Sequence, residues 1–286
     1  MTQALYPQTD RQNLDNSPSG APPHYVVQMT DPHLFGTPGR TLLGMDTVNS
    51  FQQVLSHLPA DKIDHIVLTG DLAQDASAPA YEKLIAMLDP LGLPFTWLPG
   101  NHDNARLMTE IAKAHGGGIG DRVVVIGRWR LIMLDTSVPG KVHGELSDRE
   151  LACLKAELEQ AEKQEQFCLV CLHHNPLPGT SEWMLEIGLK NAAAFQQVLQ
   201  PFRHRIAAVL FGHIHQNIDR ADEDGIRYIC TPSTSIQFKP HVTDFELDVL
   251  QPAYRWLELY DDGRIETGVC HLQNFELTID MSAPGY

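Results

Sequence analysis

Residues 100–103 read Gly-Asn-His-Asp and close the hydrophobic run PFTWLP. A turn needs only the glycine and asparagine; an amide, an imidazole and a carboxylate side by side point to chemistry. Four more hydrophobic runs end in polar clusters: Asp31-Pro32-His33, Gly70-Asp71, His173-His174 and Gly212-His213-Ile214-His215. Together the clusters offer Asp31, His33, Asp71, Asn101, His173, His213 and His215, with His102 and His174 beside them. Imidazole nitrogens and carboxylate oxygens suit Fe, Mn, Zn or Co. Seven ligands are too many for one tetrahedral ion. They fit two ions that share a carboxylate, ~3.5–4 Å apart, as in two-metal hydrolytic centres. No cysteine takes part, which disfavours a structural zinc site. Each cluster alone has a plainer reading as a turn after a strand, or, for His213 and His215, as a strand pair facing one way. Five such clusters in one chain, all at strand ends, favour the metal centre.

The elements that must carry these residues alternate. YVVQMTDPH, HIVLTGDL and FTWLPGNHD read as short strands, and TVNSFQQVLSHLPA and PAYEKLIAMLDPL between them have helical spacing. RVVVIGRWRLIMLD reads as a hairpin about Gly127. SDRELACLKAELEQAEKQ reads as a helix opened by a capping box of Ser147 and Glu150. FCLVCLHHNP and IAAVLFGHIHQ are further strands with polar ends. IRYICTPSTSIQF and YRWLELYDDGRIETGVCHL are β-rich, with a hairpin turn at Asp262-Gly263. The pattern predicts an α/β layered fold with mixed sheets: a front set joined by helical crossovers and a back set of hairpins. Clusters at the carboxyl ends of strands in such sheets converge in space.

The rest of the chain bounds the possibilities. Residues 1–23 are polar and rich in Pro, Asn and Gln, and read as a flexible tail. Residues 24–275 read as one domain and 276–286 as a C-terminal tail. The net charge of -15 argues against sequence-independent binding of nucleic acid. Cys153, Cys168, Cys171, Cys230 and Cys270 form no paired metal motif and fit a reducing compartment; Cys168 and Cys171, flanking a strand-like run, read as small core residues. No run reaches the ~20 apolar residues of a membrane span, and no secretory leader pattern opens the chain. A cytoplasmic protein is expected.

In order, D-x-H, G-D, G-N-H-D, H-H near a proline and G-H-x-H form the pattern of the calcineurin-like metallophosphoesterases, which this chain resembles from Asp31 to His215. LHHNPLPG, VHGELS and TPSTSIQF are similar to blocks of the bacterial class III cyclic-AMP phosphodiesterases. The resemblance implies a four-layer α/β/β/α sandwich of two mixed sheets, with a dimetal site at the C-terminal ends of the strands. It implies that Asp31, His33 and His215 hold one divalent ion, that Asn101, His173 and His213 hold the other, and that Asp71 bridges them. His174 would stand behind His173. His102 would contact the phosphate and protonate the leaving alkoxide. Asp103 would hold the His102 ring, the alternative being a carboxylate that caps a turn. Substrate contacts would come from Asn101, His102 and His215, with His143 in VPGKVHGELS as a pocket candidate against the alternative of an exposed loop. The implied substrate is a small phosphodiester, chiefly 3′,5′-cyclic AMP, hydrolysed to 5′-AMP by a metal-bridging hydroxide. A broader phosphoesterase acting on other diesters or monoesters is the alternative. A binding module without catalysis is the third reading, opposed by the complete ligand set and His102. No nucleic acid or membrane partner is expected, and the family includes homodimers.

Ser233-Thr234-Ser235 are further pocket candidates, against a plain turn at a β-edge. Met45, Trp97 and Phe35 are candidates for a base site, against simple packing. The neutrality of Asn101 has a charge rationale. Two divalent ions carry +4; Asp31, Asp71 and a bridging hydroxide offset three, and about +1 remains for a phosphodiester anion. Asn101→Asp would erase that surplus and is expected to weaken substrate binding. A variant with unchanged Michaelis constant and turnover would reject this assignment.

Overall fold

The computed structural model describes residues 21–282. The N-terminal segment expected to be a tail lies almost wholly outside the described residues. In chain order the strands and helices are β1 (His24–Met29), α1 (Thr47–Ser56), β2 (His65–Thr69), α2 (Ala78–Leu88), β3 (Phe95–Leu98) and α3 (Ala105–His115). Next come β4 (Val123–Ile126), β5 (Trp129–Met133), α4 (Asp148–Lys163), β6 (Phe167–Cys171), α5 (Ala192–Leu199) and β7 (Ile206–Phe211). The chain continues through β8 (Ile218–Ala221), β9 (Arg227–Cys230), β10 (Gln237–Phe238), β11 (Leu247–Asp248), β12 (Ala253–Leu259) and β13 (Ile265–His271).

Two large sheets result, ordered β13-β12-β1-β2-β3 and β4-β5-β6-β7-β9-β8, with β10 and β11 as a separate pair. In the first sheet β1, β2 and β3 run parallel, and the β12–β13 hairpin adds antiparallel at the β1 side. In the second, β5, β6, β7 and β9 run parallel between antiparallel edges β4 and β8. Crossovers and hairpins therefore occur in both sheets. The expected division into a crossover set and a hairpin set is corrected: each sheet is a parallel centre with hairpin edges.

Both faces of each sheet are covered, which is why the central strands are continuous apolar runs rather than alternating ones. Successive side chains still part to opposite faces. Val67, Leu169, Cys171 and Leu210 fill the layer between the sheets. Ile66 and Leu68 face outward with Phe51 of α1 and Leu84 of α2. Val170 and Val209 face outward with Leu154 of α4 and Phe195 of α5. The order of layers is α/β/β/α, as the resemblance implied.

Three local expectations need adjustment. Ser147 caps α4 by accepting from Glu150 N at 3.2 Å. The Glu150 carboxylate does not complete a capping box; it accepts from Asp135 N and pairs with Arg122. The β12–β13 turn is a three-residue loop: Gly263 N donates to Tyr260 O and Tyr260 N to Arg264 O, with Gly263 at φ 89°. The C-terminal boundary also moves. Leu277 and Ile279 pack on the core, and Asp280 N donates to Leu43 O at 2.8 Å. The segment from 276 to at least 280 is therefore part of the domain. Among the described residues no helix is long and apolar enough to cross a membrane.

His65 on β2 is 6% exposed, and its Nε2 has no hydrogen-bond partner. Burial disfavours the imidazolium and pulls its pKa down to about 4. The folded value lies below the unfolded ~6.5, so the unfolded chain binds the proton more readily, and stability falls as pH drops from ~6.5 toward 4. His65→Gln is expected to flatten that part of the acid limb by on the order of 2 kcal/mol. Urea titrations at several pH values would detect it; parallel limbs would reject the assignment.

Candidate active site

The five polar clusters follow β1, β2, β3, β6 and β7, all at the C-terminal ends of parallel strands. The backbone there turns sharply. Asp31, His33, Asp71, His213 and His215 all have positive φ, between 45° and 69°. That conformation costs a non-glycine residue on the order of 1 kcal/mol and is tolerated where surrounding structure fixes it. Here the turns bring side chains from all five clusters to one buried pit. Asp31, His33, Asp71, His173, His213 and His215 are buried and Asn101 is partly buried.

Two glycines of the motifs are explained by close approach. A Cβ on Gly100 would fall on the Asp71 carboxylate and backbone nitrogen; one on Gly212 would fall on Thr30 and the Asp31 carboxylate. Both positions must stay bare for the carboxylates to reach the pit.

The outer nitrogen of each inward-facing imidazole is fixed by an acceptor. His173 Nδ1 donates to Thr69 O (2.8 Å), His213 Nε2 to Ile187 O (3.0 Å) and His215 Nδ1 to Ile236 O (2.8 Å). His33 Nδ1 bonds the Gln74 side-chain oxygen at 2.6 Å. A carbonyl can only accept, so these nitrogens carry the hydrogen, and in the neutral imidazoles, the form that ligates a metal, the opposite nitrogens present lone pairs. Those lone pairs face other acceptors. His215 Nε2 lies 3.2 Å from Asp31 Oδ1 and 3.3 Å from His33 Nε2. His173 Nε2 lies 3.2 Å from each of Asp71 Oδ2, Asn101 Oδ1 and His213 Nδ1. Asp71 Oδ2 is also 3.8 Å from His33 Nε2, so it stands between the two groups. Asp31 Oδ1 is buried with no hydrogen-bond partner.

Acceptors packed against acceptors in a buried pit repel unless cations lie between them. Two ligands ~2.1 Å from one ion, at tetrahedral or octahedral angles, are about 3.0–3.4 Å apart, which matches the spacing here. Charge distribution agrees. Burial pulls His33 and His213 down to about 3. At His173 burial is outweighed by Asp71 and Asp31, and the group is held up to about 9. At Asp31 burial is outweighed by His215 and His173, and the carboxyl falls to about 2. The carboxylates therefore demand positive charge at the centre of the pit.

The two carboxylates each divide their oxygens. Asp31 Oδ2 accepts from Thr30 Oγ1 and His213 N, and Asp71 Oδ1 accepts from His102 N, leaving Oδ1 and Oδ2 respectively for the pit. His174 is tied elsewhere: Nδ1 to Thr136 Oγ1 at 2.7 Å and Nε2 to Val142 O at 3.1 Å. Although His174 lies near His173 and His213, these contacts favour His173 as the inward donor.

Asp103 does not follow its expected role. Its carboxylate accepts from Leu72 N, Ala73 N, Gly100 N and the Tyr81 hydroxyl. It caps the β2 and β3 turns and thereby fixes the loop that carries His102. The expected hold on the His102 ring gives way to that turn-capping role. Burial and the Asp71 charge push Asp103 up to about 7 despite these donors.

A cavity of about 380 Å³ opens over the pit. Asp71, Asn101, His102 and His213 line its polar end. Gly140, Lys141 and Val142, of the loop that also carries His143, line the cavity, whereas His143 does not. Ser233 and Ser235 are buried and donate to Asp31 O at 2.8 and 3.0 Å, so they brace the β1 turn instead of lining the pocket. Met45, Trp97 and Phe35 pack in the core. Sequence reasoning missed Trp183, Phe238 and Phe245, which line the apolar end. Phe238 ends the TPSTSIQF block, and its aromatic character was the available signal.

The family model for calcineurin-like phosphoesterases matches residues 24–217. The chain belongs to the calcineurin-like phosphoesterase family. It is 39% identical to the 3′,5′-cyclic adenosine monophosphate phosphodiesterase CpdA of Pseudomonas aeruginosa, over 95% of this chain and 98% of that one. It is 40% identical to CpdA of Escherichia coli strain K12, over 91% and 94%. Among solved structures, a dimetal phosphatase from Danio rerio aligns with TM-score 0.62 and 15% identity over 88% of this chain and 99% of that one. That likeness establishes the calcineurin-like fold. The His and Asp groups of this phosphoesterase could hold metal ions.

Gln74 is the one side chain among the four partners that fix the inward imidazoles. Gln74→Leu is expected to weaken metal retention roughly tenfold, in line with other partners of metal-bound histidines. Gly100→Ala is expected to abolish binding of at least one ion. Competition with a chelator, read by metal content, checks both; wild-type retention would reject the geometry.

Proposed function

We propose that the chain is a 3′,5′-cyclic-nucleotide phosphodiesterase that converts cyclic AMP to 5′-AMP. The observation that carries the reading is the buried convergence of lone pairs at the end of a cavity large enough for a small ligand. The two CpdA relatives, matched over nearly their whole length, supply the substrate.

In this reading Asp31, His33 and His215 hold one divalent ion, Asn101, His173 and His213 the other, and Asp71 both. Bound there, the ions supply Lewis acidity and a water acidified toward neutral pH. The nitrogen and oxygen donors, without thiolate, suit Fe, Mn, Zn or Co. Asn101 lines the cavity as a neutral amide and leaves the field at the phosphate positive. His102 stands at the polar end with its backbone nitrogen on Asp71 Oδ1 and its ring edge-on to His33 at 5.1 Å. As hydroxide adds to phosphorus and the 3′ P–O bond breaks, the departing ribose oxygen takes a proton from the protonated His102 ring, which is left neutral. The compartment is proposed as cytoplasmic, consistent with five free thiols. A homodimer remains a family-level proposal.

The same donor set could serve other phosphoesters, so the substrate panel decides. It comprises cyclic AMP, cyclic GMP, a 2′,3′-cyclic nucleotide, bis(p-nitrophenyl) phosphate and a phosphomonoester, with metal-reconstituted protein. Cyclic AMP should be preferred. His102→Ala should lower kcat by ~10²–10⁴ with metals retained, and Asp71→Ala should lose both metals and turnover. Turnover of the nitrophenyl diester alone would move the substrate to another class.

A further inference from the structure

We propose that Trp183, Phe238 and Phe245 form a subsite for the heterocyclic base of the nucleotide. This rests on the reading of the chain as a cyclic-nucleotide phosphodiesterase.

The cavity over the pit has two chemically distinct ends. The polar end comes from the turns after β2, β3 and β7. The apolar end comes from elsewhere: Trp183 from the single turn Glu182–Leu185, Phe238 from β10, and Phe245 from the loop that returns to β11. The three rings meet edge-on, with centroids 5.4 Å apart for Trp183–Phe238 and 5.3 Å for Trp183–Phe245 and Phe238–Phe245. Phe238 also stacks on His215, with centroids 4.0 Å apart and planes within 9°. The aromatic wall is thereby built directly against the pit, and a phosphate over the pit brings its substituent to the wall. Lys141, exposed on the rim of the same cavity, adds a local cation to a molecule of net charge -15.

A glycerol or peptide phosphate would leave this wall without a complementary surface. A planar base matches it, because every base has a π-face and stacking on an aromatic side chain is worth ~1–3 kcal/mol, or about 5- to 150-fold in affinity. The wall is sequence-tolerant by the same argument. It selects nucleotides over other phosphodiesters, and leaves the choice among bases to polar contacts.

The test compares 5′-AMP with ribose 5-phosphate, by calorimetric titration of the metal-loaded protein. The wild type should bind 5′-AMP at least ~10-fold tighter. Trp183→Ala and Phe245→Leu should bring 5′-AMP toward the ribose 5-phosphate value and leave ribose 5-phosphate binding unchanged, which also certifies the fold. Trp183→Phe, which keeps an aromatic face, should retain most of the advantage. An undiminished advantage in both Trp183→Ala and Phe245→Leu would overturn the subsite, as would no advantage in the wild type. Cyclic AMP turnover by the wild type is scored separately. Turnover without a base advantage removes the wall and keeps the reaction; a wall-dependent base advantage without turnover removes the reaction and keeps the subsite.

Discussion

Electrostatic repulsion among buried lone pairs is the constraint around which this molecule is arranged. Nitrogen and oxygen acceptors at 3.2–3.3 Å in a largely buried pit are unfavourable neighbours. The fold holds them there because each is anchored on its far side. Three imidazoles donate to main-chain carbonyls and one bonds the Gln74 amide oxygen, while Asp31 and Asp71 each give one oxygen to structural donors. The anchors come from Thr69, Ile187 and Ile236, and so tie the pit to β2, to the segment before α5 and to the chain entering β10.

The two-sheet architecture is what allows such anchoring. The first sheet supplies Asp31, Asp71 and Asn101 from three adjacent parallel strands. The second supplies the histidines after β6 and β7. Covering both faces of each sheet with helices or with the other sheet leaves the strand ends as the place where polar side chains from both sheets meet. Left-handed residues at five of these positions give the local turns their pitch. Ser233, Ser235 and Asp103 do the less visible work of holding those turns closed.

Much of this was legible in the sequence. The strand-end clusters gave the donor set because composition and position repeat five times, and the helices α1, α2 and α4 announced themselves by apolar spacing. Helix α3, although capped by Asn104, is not marked by apolar spacing, because only Met108 and Ala112 along it are buried. Helix α5 was missed because eight residues behind Asn191 give little more than two turns of pattern. The distribution of hairpins between sheets was not readable, since β12 pairs with β1 across more than two hundred residues of chain. The same distance hid the pocket. Trp183, Phe238 and Phe245 have no common spacing, and only tertiary structure brings them to His215. Asp103 adjoins His102 in sequence, but its partners are backbone nitrogens, two of them some thirty residues away, that no local pattern marks.

The pairing of β1 with β12 has a consequence for synthesis. Strand β1 emerges among the first elements and lies between β2 and β12, one made soon after it and the other among the last. The donors are similarly spread, from Asp31 to His215, and the carbonyl that orients His215 belongs to Ile236. No early portion of the nascent chain can assemble the full donor set, and the first sheet closes only after β12 and β13 have been made. Non-local pairing of this kind makes folding slow. A metal ion held by this donor set would therefore be taken up late, once the segment that carries Ile236 has been made.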